Sequence, residues 1–122
     1  MKRLVLTSLA AVSCAFAAAA QPAPKPAQQC FFTRDLRNHS VAGDHTLYFD
    51  VGGRSIYRFE TSGNCLAAVT SSDPIVLRDR GSGQICDKLD LDIGVRGARC
   101  IVSSMTKLTP EAAAALPRGV RP

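Results

Sequence analysis

The cysteines constrain this chain more than any other feature. There are five in 122 residues, and the first of them, Cys14, lies inside an N-terminal apolar run. Lys2 and Arg3 precede that run, Leu4 to Ala17 carries no charge, and Ala18-Ala19-Ala20 supplies small residues. This is the order of a secretory signal peptide, and cleavage is expected after Ala20. Cys30, Cys65, Cys86 and Cys100 then remain, and an even number in a small exported chain reads as two disulfides. None of the four sits in a Cys-x-x-Cys pair, which disfavours a zinc ribbon or a thioredoxin-type redox site. Pairing neighbours in sequence crosses nothing, so Cys30–Cys65 with Cys86–Cys100 is the expected connectivity. Cys30–Cys100 with Cys65–Cys86, and the interleaved pairing, stay open. Such bridges matter in a chain of this size. A domain of about 100 residues buries roughly 65% of its unfolded surface, and its net stability is about 5–15 kcal/mol. Each expected bridge contributes about 3–4 kcal/mol through loop entropy.

A second cut competes with the first. Ala11-Val12-Ser13-Cys14 offers small residues before a cysteine, as a lipoprotein signal does, although Ala11 stands where Leu is usual. Lipidation of Cys14 would leave an inner- or outer-membrane lipoprotein instead of a free periplasmic or secreted protein. The run from Leu4 to Ala20 is rich in Ala and has no positive flank on its far side, so no membrane span is expected after processing.

The chain divides into four segments: a signal peptide over 1–20, a Pro-rich tether over 21–29, one β-rich domain over 30–116, and a tail over 117–122. Removing Lys2 and Arg3 leaves 13 bases against 10 acids, interleaved as in Arg34-Asp35 and Arg78-Asp79-Arg80. That mild, mixed charge is a solvated surface and not the basic stripe of a nucleic-acid binder. A first strand is expected over 30–38, with Phe31 and Phe32 on opposite faces, and a turn over 40–44 around Gly43. Thr46 to Val51 and Arg54 to Phe59 flank Gly52-Gly53, a hairpin signal because a two-residue turn needs the positive φ that Gly supplies. This register sets Tyr48 opposite Tyr57 and Phe49 opposite Ile56, with Leu47, Phe49, Val51 and Ile56 on one face and Tyr48, Tyr57 and Phe59 on the other. Further strands are expected over 75–77, 89–93 and 99–107, with Arg96-Gly97 turning the chain. Leu66 to Thr70 fits either a helical turn or a strand. Thr109-Pro110-Glu111 opens a short helix ended by Pro117. The fold class is therefore mainly β: a small, disulfide-stapled antiparallel sheet or barrel-like domain with a short C-terminal helix.

Candidate chemistry is sparse. His39 and His45, with Asp44, Asp35 and Asp50 nearby, are the metal candidates, and their spacing matches no compact ligand motif. Asp87, Asp90 and Asp92 supply oxygen ligands of the kind calcium takes, without the EF-hand order. Ser71, Ser72, Ser103 and Ser104 lie in no nucleophile elbow, and Gly81-Ser82-Gly83 lacks the Lys of a phosphate loop. Phe31, Phe32, Tyr48 and Tyr57 fit a strand core better than an aromatic binding face. No cofactor is expected.

Cys30-Phe31-Phe32, Arg34-Asp35-Leu36, Asp44-His45-Thr46-Leu47-Tyr48, Tyr57-Arg58-Phe59, Cys65, Ile85-Cys86, Leu89-Asp90, Arg99-Cys100-Ile101-Val102 and Leu108-Thr109-Pro110-Glu111 occur in this order. In order and Cys spacing the chain resembles an uncharacterised family of small exported Gram-negative bacterial proteins, some of them lipoproteins. The resemblance covers residues 30 to about 112. It implies export and a compact, mainly β domain, and it implies no activity, substrate or catalytic residue. The expected function is an exported, monomeric, non-enzymatic module that binds a periplasmic or envelope protein or ligand. The alternative is a small metal-dependent or hydrolytic periplasmic enzyme using His39, His45 and the neighbouring Asp residues.

Overall fold

A computed structural model describes residues 29–122. Alternation of apolar and polar side chains produces eight strands among these residues: β1 (Phe31–Phe32), β2 (Leu36–Ala42), β3 (Thr46–Val51), β4 (Ser55–Ser62), β5 (Ile75–Asp79), β6 (Gln84–Ile85), β7 (Leu91–Val95) and β8 (Ala98–Lys107). A single α-helix among the described residues, α1 (Pro110–Ala114), comes after β8. Six strands form one antiparallel sheet in the order β2-β3-β4-β8-β7-β5, and β1 pairs with β6 beside it. The expected class, mainly β with two disulfides and a short C-terminal helix, is what the chain adopts. The expected signal peptide over 1–20, with Cys14, and the expected tether up to residue 28 lie outside the described residues.

The β3–β4 hairpin forms where expected, with a different register. Val51 faces Ser55 and Phe49 faces Tyr57, so Gly52, Gly53 and Arg54 make a three-residue connection. Gly52 and Gly53 both take positive φ. The loop is pinned by Gly53 N–H donating to Asp50 Oδ1 at 2.9 Å and Gly52 N–H donating to the Asp35 carbonyl at 2.7 Å. One extra residue in the turn moves every β4 side chain to the other face. Tyr57 and Phe59 therefore join Leu47 and Phe49 inside, and Ile56 does not. The inward rings pack edge to face, with Phe49 and Phe59 centroids 5.2 Å apart.

β8 is the central element, because it pairs with β4 along one half and with β7 along the other. Cys100 and Val102 point inward. At Ser103 the alternation breaks: Thr61 faces Val102 but Glu60 faces Ser104, leaving Ser103 as the extra residue of a bulge. The Ser103 hydroxyl donates to the Glu60 carbonyl at 3.1 Å. A bulge bends its strand and re-aims the side chains beyond it, and here it turns Met105 back against the core and curls the sheet. Leu91, Ile93 and Val95 of β7 complete the interior with Phe31, Ile85 and Leu66. Leu66 sits in a run of turns over 63–68, neither helix nor strand, where Ala68 takes positive φ.

The disulfides correct the expected connectivity. Cys30 bonds Cys86 and Cys65 bonds Cys100, which is the interleaved pairing. Strand pairing is the cause. Phe31 faces Ile85 across β1–β6, so the next position outward sets Cys30 against Cys86, with Cα atoms 4.1 Å apart. Cys65 precedes buried Leu66 and ties the turn region to the middle of the sheet through buried Cys100. Proximity in sequence favours the wrong partners because β1 has no local hairpin partner.

Three boundaries also differ from expectation. The first strand is broken by a 3-10 turn over Thr33–Asp35, and β2 then runs on to Ala42, so the turn is confined to residues 43–45. β7 starts at Leu91 because Asp87 caps a 3-10 turn over Lys88–Asp90, accepting from Leu89 N–H at 3.0 Å. Residues 117–122 fold back onto the sheet. The buried Ser40 hydroxyl donates to the Val120 carbonyl, and Arg121 donates to the carbonyls of Ala114 and Leu116. α1 begins as its sequence dictates, with the Thr109 side chain accepting from Ala112 N–H at 3.2 Å and Pro110 in the first turn.

Candidate functional site

The histidines are not brought together with their candidate partners. His39 lies on β2, half-buried, with its Nε2 3.0 Å from the Asp73 carbonyl oxygen. His45 and Asp44 are exposed in the turn after β2, where the His45 carbonyl accepts from Thr61. Among the described residues no group of three or more His, Cys, Asp or Glu side chains could hold a metal ion.

The acidic triplet is also committed to structure. Asp87 caps the 3-10 turn, while Asp90 accepts from the N–H groups of Cys86 and Asp87 at 2.8 and 2.9 Å. Those two backbone bonds hold the Asp90 carboxyl below the usual carboxylate range. Asp92 Oδ1 accepts from Arg99 at 2.8 Å and from Arg80 at 3.1 Å, and these bonds lower its pKa in turn. Among the serines, Ser71 Oγ accepts from Val41 N–H and Ser103 bonds the bulge. Of the aromatic residues, Phe31 and Tyr57 are core and Tyr48 is half-buried. Phe32 is exposed, with the Arg34 guanidinium 4.4 Å above its ring.

A more distinctive surface lies on the outside of β5, β7 and β8. Period-two alternation puts Ile75, Leu77, Leu91, Ile93, Cys100 and Val102 against or into the core. The intervening residues Val76, Arg78, Asp92, Gly94, Arg99 and Ile101 therefore face outward. Register aligns Val76 with Gly94 and Arg78 with Asp92. Val76, Leu89 and Ile101 are 51%, 63% and 67% exposed, unusual for aliphatic side chains on a single face. Arg78, Arg80, Lys88 and Arg99 lie among them, with Arg80 and Arg99 paired to Asp92 and Asp90 also attracting Arg80.

Two shallow recesses mark this surface. One, of about 220 Å³, opens where Gly94 presents no side chain beside Val76 and Arg78. The other, of about 390 Å³, lies between Lys88, Leu89, Arg99 and Ile101. Lys88 is steadied at its rim by donating to the Ser103 carbonyl at 2.9 Å. Sequence reasoning misses this surface. The alternation of β5, β7 and β8 is legible, but which strands lie side by side is not, so cations scattered over residues 78–99 read as ordinary solvated charge.

Comparison with protein-family models, curated proteins and solved structures finds no match to this chain.

Proposed function

We propose that the chain is an exported, non-enzymatic binding module that recognises an acidic periplasmic or envelope protein through the outer face of β5, β7 and β8. The observation that carries this reading is the single surface on which Val76, Leu89 and Ile101 are exposed among Arg78, Arg80, Lys88 and Arg99. Interfaces of stable affinity combine a few apolar anchors with a polar rim. The basic rim gives the partner's sign, since complementary charge steers encounter and rejects like-charged surfaces. Export is supported by two disulfides in a small domain, a pattern of oxidising compartments.

The test is capture from envelope extract by the mature chain, alongside Ile101→Asp and the pair Arg78→Glu with Arg99→Glu. An acidic protein is expected to bind the native chain, to be released by salt, and to be lost with either variant while the circular dichroism spectrum stays native. Capture that survives both variants, or the absence of any specific partner, overturns the reading.

A further inference from the structure

A different concavity lies at the end of the sheet that carries the Gly52-Gly53 loop. It has a volume of about 350 Å³ and is lined by Arg37 of β2, Arg54 of the loop, Lys107 at the end of β8, Tyr57, Ser55 and Asp35. Three cations from separate stretches of chain thus share one cleft with a single carboxylate. None of the three forms an ion pair among the described residues, whereas Arg58, Arg80, Arg96 and Arg99 do. Bringing three cations together against one carboxylate is unfavourable in isolation and becomes favourable when an anion is bound.

The placement is enforced by the fold. The Arg37 guanidinium lies against the loop backbone, with Nη1 at an ordinary contact distance of 3.6 Å from where a Cβ at Gly53 would stand. Arg54 Nη2 is 4.0 Å from the equivalent point at Gly52. The loop's own N–H groups are committed to Asp35, Asp50 and Val51, so recognition falls to the side chains.

Tyr57 supplies an independent observation. It is only 2% exposed, its ring packs on Phe31 with centroids 4.7 Å apart, and it is paired across the sheet with Lys107. Tyr57 lines the cleft together with Arg37, Arg54 and Lys107. A buried tyrosine held this way is a ready donor, and burial raises its pKa, which keeps the proton in place.

We infer that this cleft binds a phosphoryl group, with Arg37, Arg54 and Lys107 neutralising its charge and the Tyr57 hydroxyl donating a hydrogen bond to one of its oxygens. Two guanidinium groups suit the tetrahedral anion because each presents a planar fork of donors to paired oxygens. Asp35 on the cleft wall opposes a fully charged anion. It favours a ligand that also carries a hydroxyl or ammonium group to face that carboxylate. Such a group is found on a soluble phosphomonoester or on an anionic lipid headgroup, and the cleft is large enough for either.

The experiment uses the processed chain with both disulfides intact. Backbone amide shifts are followed by NMR during titration with inorganic phosphate, with glycerol 3-phosphate, and with phosphatidylglycerol vesicles against phosphatidylcholine vesicles. Saturable shifts at Gly52, Gly53, Tyr57 and Lys107 are expected with the soluble phosphates. Arg37→Gln and Arg54→Gln should each weaken binding about tenfold, the usual worth of a charge-assisted hydrogen bond. Tyr57→Phe, which keeps the ring, should weaken it by about three- to tenfold with thermal stability little changed. Arg78→Gln on the outer face should leave it unaltered. Binding to phosphatidylglycerol vesicles but to neither soluble phosphate assigns the same site to a lipid headgroup. Absence of saturable shifts with every probe overturns the inference, as does binding that Arg37→Gln and Arg54→Gln leave intact. Neither result bears on the outer-face partner.

Discussion

Removing the Cys65–Cys100 bridge measures how much of this fold is held by covalent links. The bridge spans 35 residues. Loop-closure entropy for a ring of that size is worth about 4 kcal/mol in the unfolded chain. The interleaved topology lowers that figure. Residues 65–86 already lie inside the ring closed by Cys30–Cys86, so part of the chain freedom is lost before the second bridge forms. Against this, Cys100 is buried at the centre of the sheet, and truncation to Ala leaves a small void worth about 1 kcal/mol. The paired variant Cys65→Ala with Cys100→Ala should therefore lose about 3–4 kcal/mol of stability. With a urea m-value of about 1.5 kcal/mol/M, the midpoint falls by roughly 2–3 M. Equilibrium urea unfolding followed by circular dichroism gives the number. A peptide map of the unreduced native protein gives the connectivity, with linked peptides expected for Cys30–Cys86 and Cys65–Cys100. A midpoint shift below about 0.5 M refutes the energetic reasoning. Linked peptides in the sequential order Cys30–Cys65 and Cys86–Cys100 refute the β1–β6 pairing itself.

Leu66 is fully buried although it lies in irregular chain, so Leu66→Ala should cost about 3 kcal/mol, read as a fall in Tm. Gly97 has φ +80° with open space around a Cβ, so Gly97→Ala should cost about 1 kcal/mol through the backbone alone, measured by urea unfolding. Asp90 is held below the ordinary carboxylate range by the N–H groups of Cys86 and Asp87, so the folded state binds that proton less readily than the unfolded chain. Its contribution is present at neutral pH and is lost as the pH falls below about 4 and through the folded-state pKa. Asp90→Asn should accordingly destabilise the protein at pH 7 and have less effect at pH 3, as a comparison of urea midpoints at the two pH values will show.

The short-range features of this chain are written in neighbouring residues. Arg96-Gly97 turns between β7 and β8 with both residues at positive φ, and Thr109-Pro110 starts the helix, because each needs only the conformational preferences of adjacent residues. The strand-rich class arises from period-two alternation in the same way, and the four cysteines between residues 30 and 100 announce two bridges. Features that depend on distant partners were decided by the tertiary structure. The third residue in the Gly52-Gly53-Arg54 loop moved Tyr57 and Phe59 inside, and the Ser103 bulge re-aimed the end of β8. Pairing of β1 with β6 chose the interleaved disulfides. The outer basic face and the Arg37–Arg54–Lys107 cleft exist only because β8 lies between β4 and β7. The physical reason is that a strand's alternation says which residues share a face, while the neighbour that completes that face is set by burial summed over the whole sheet.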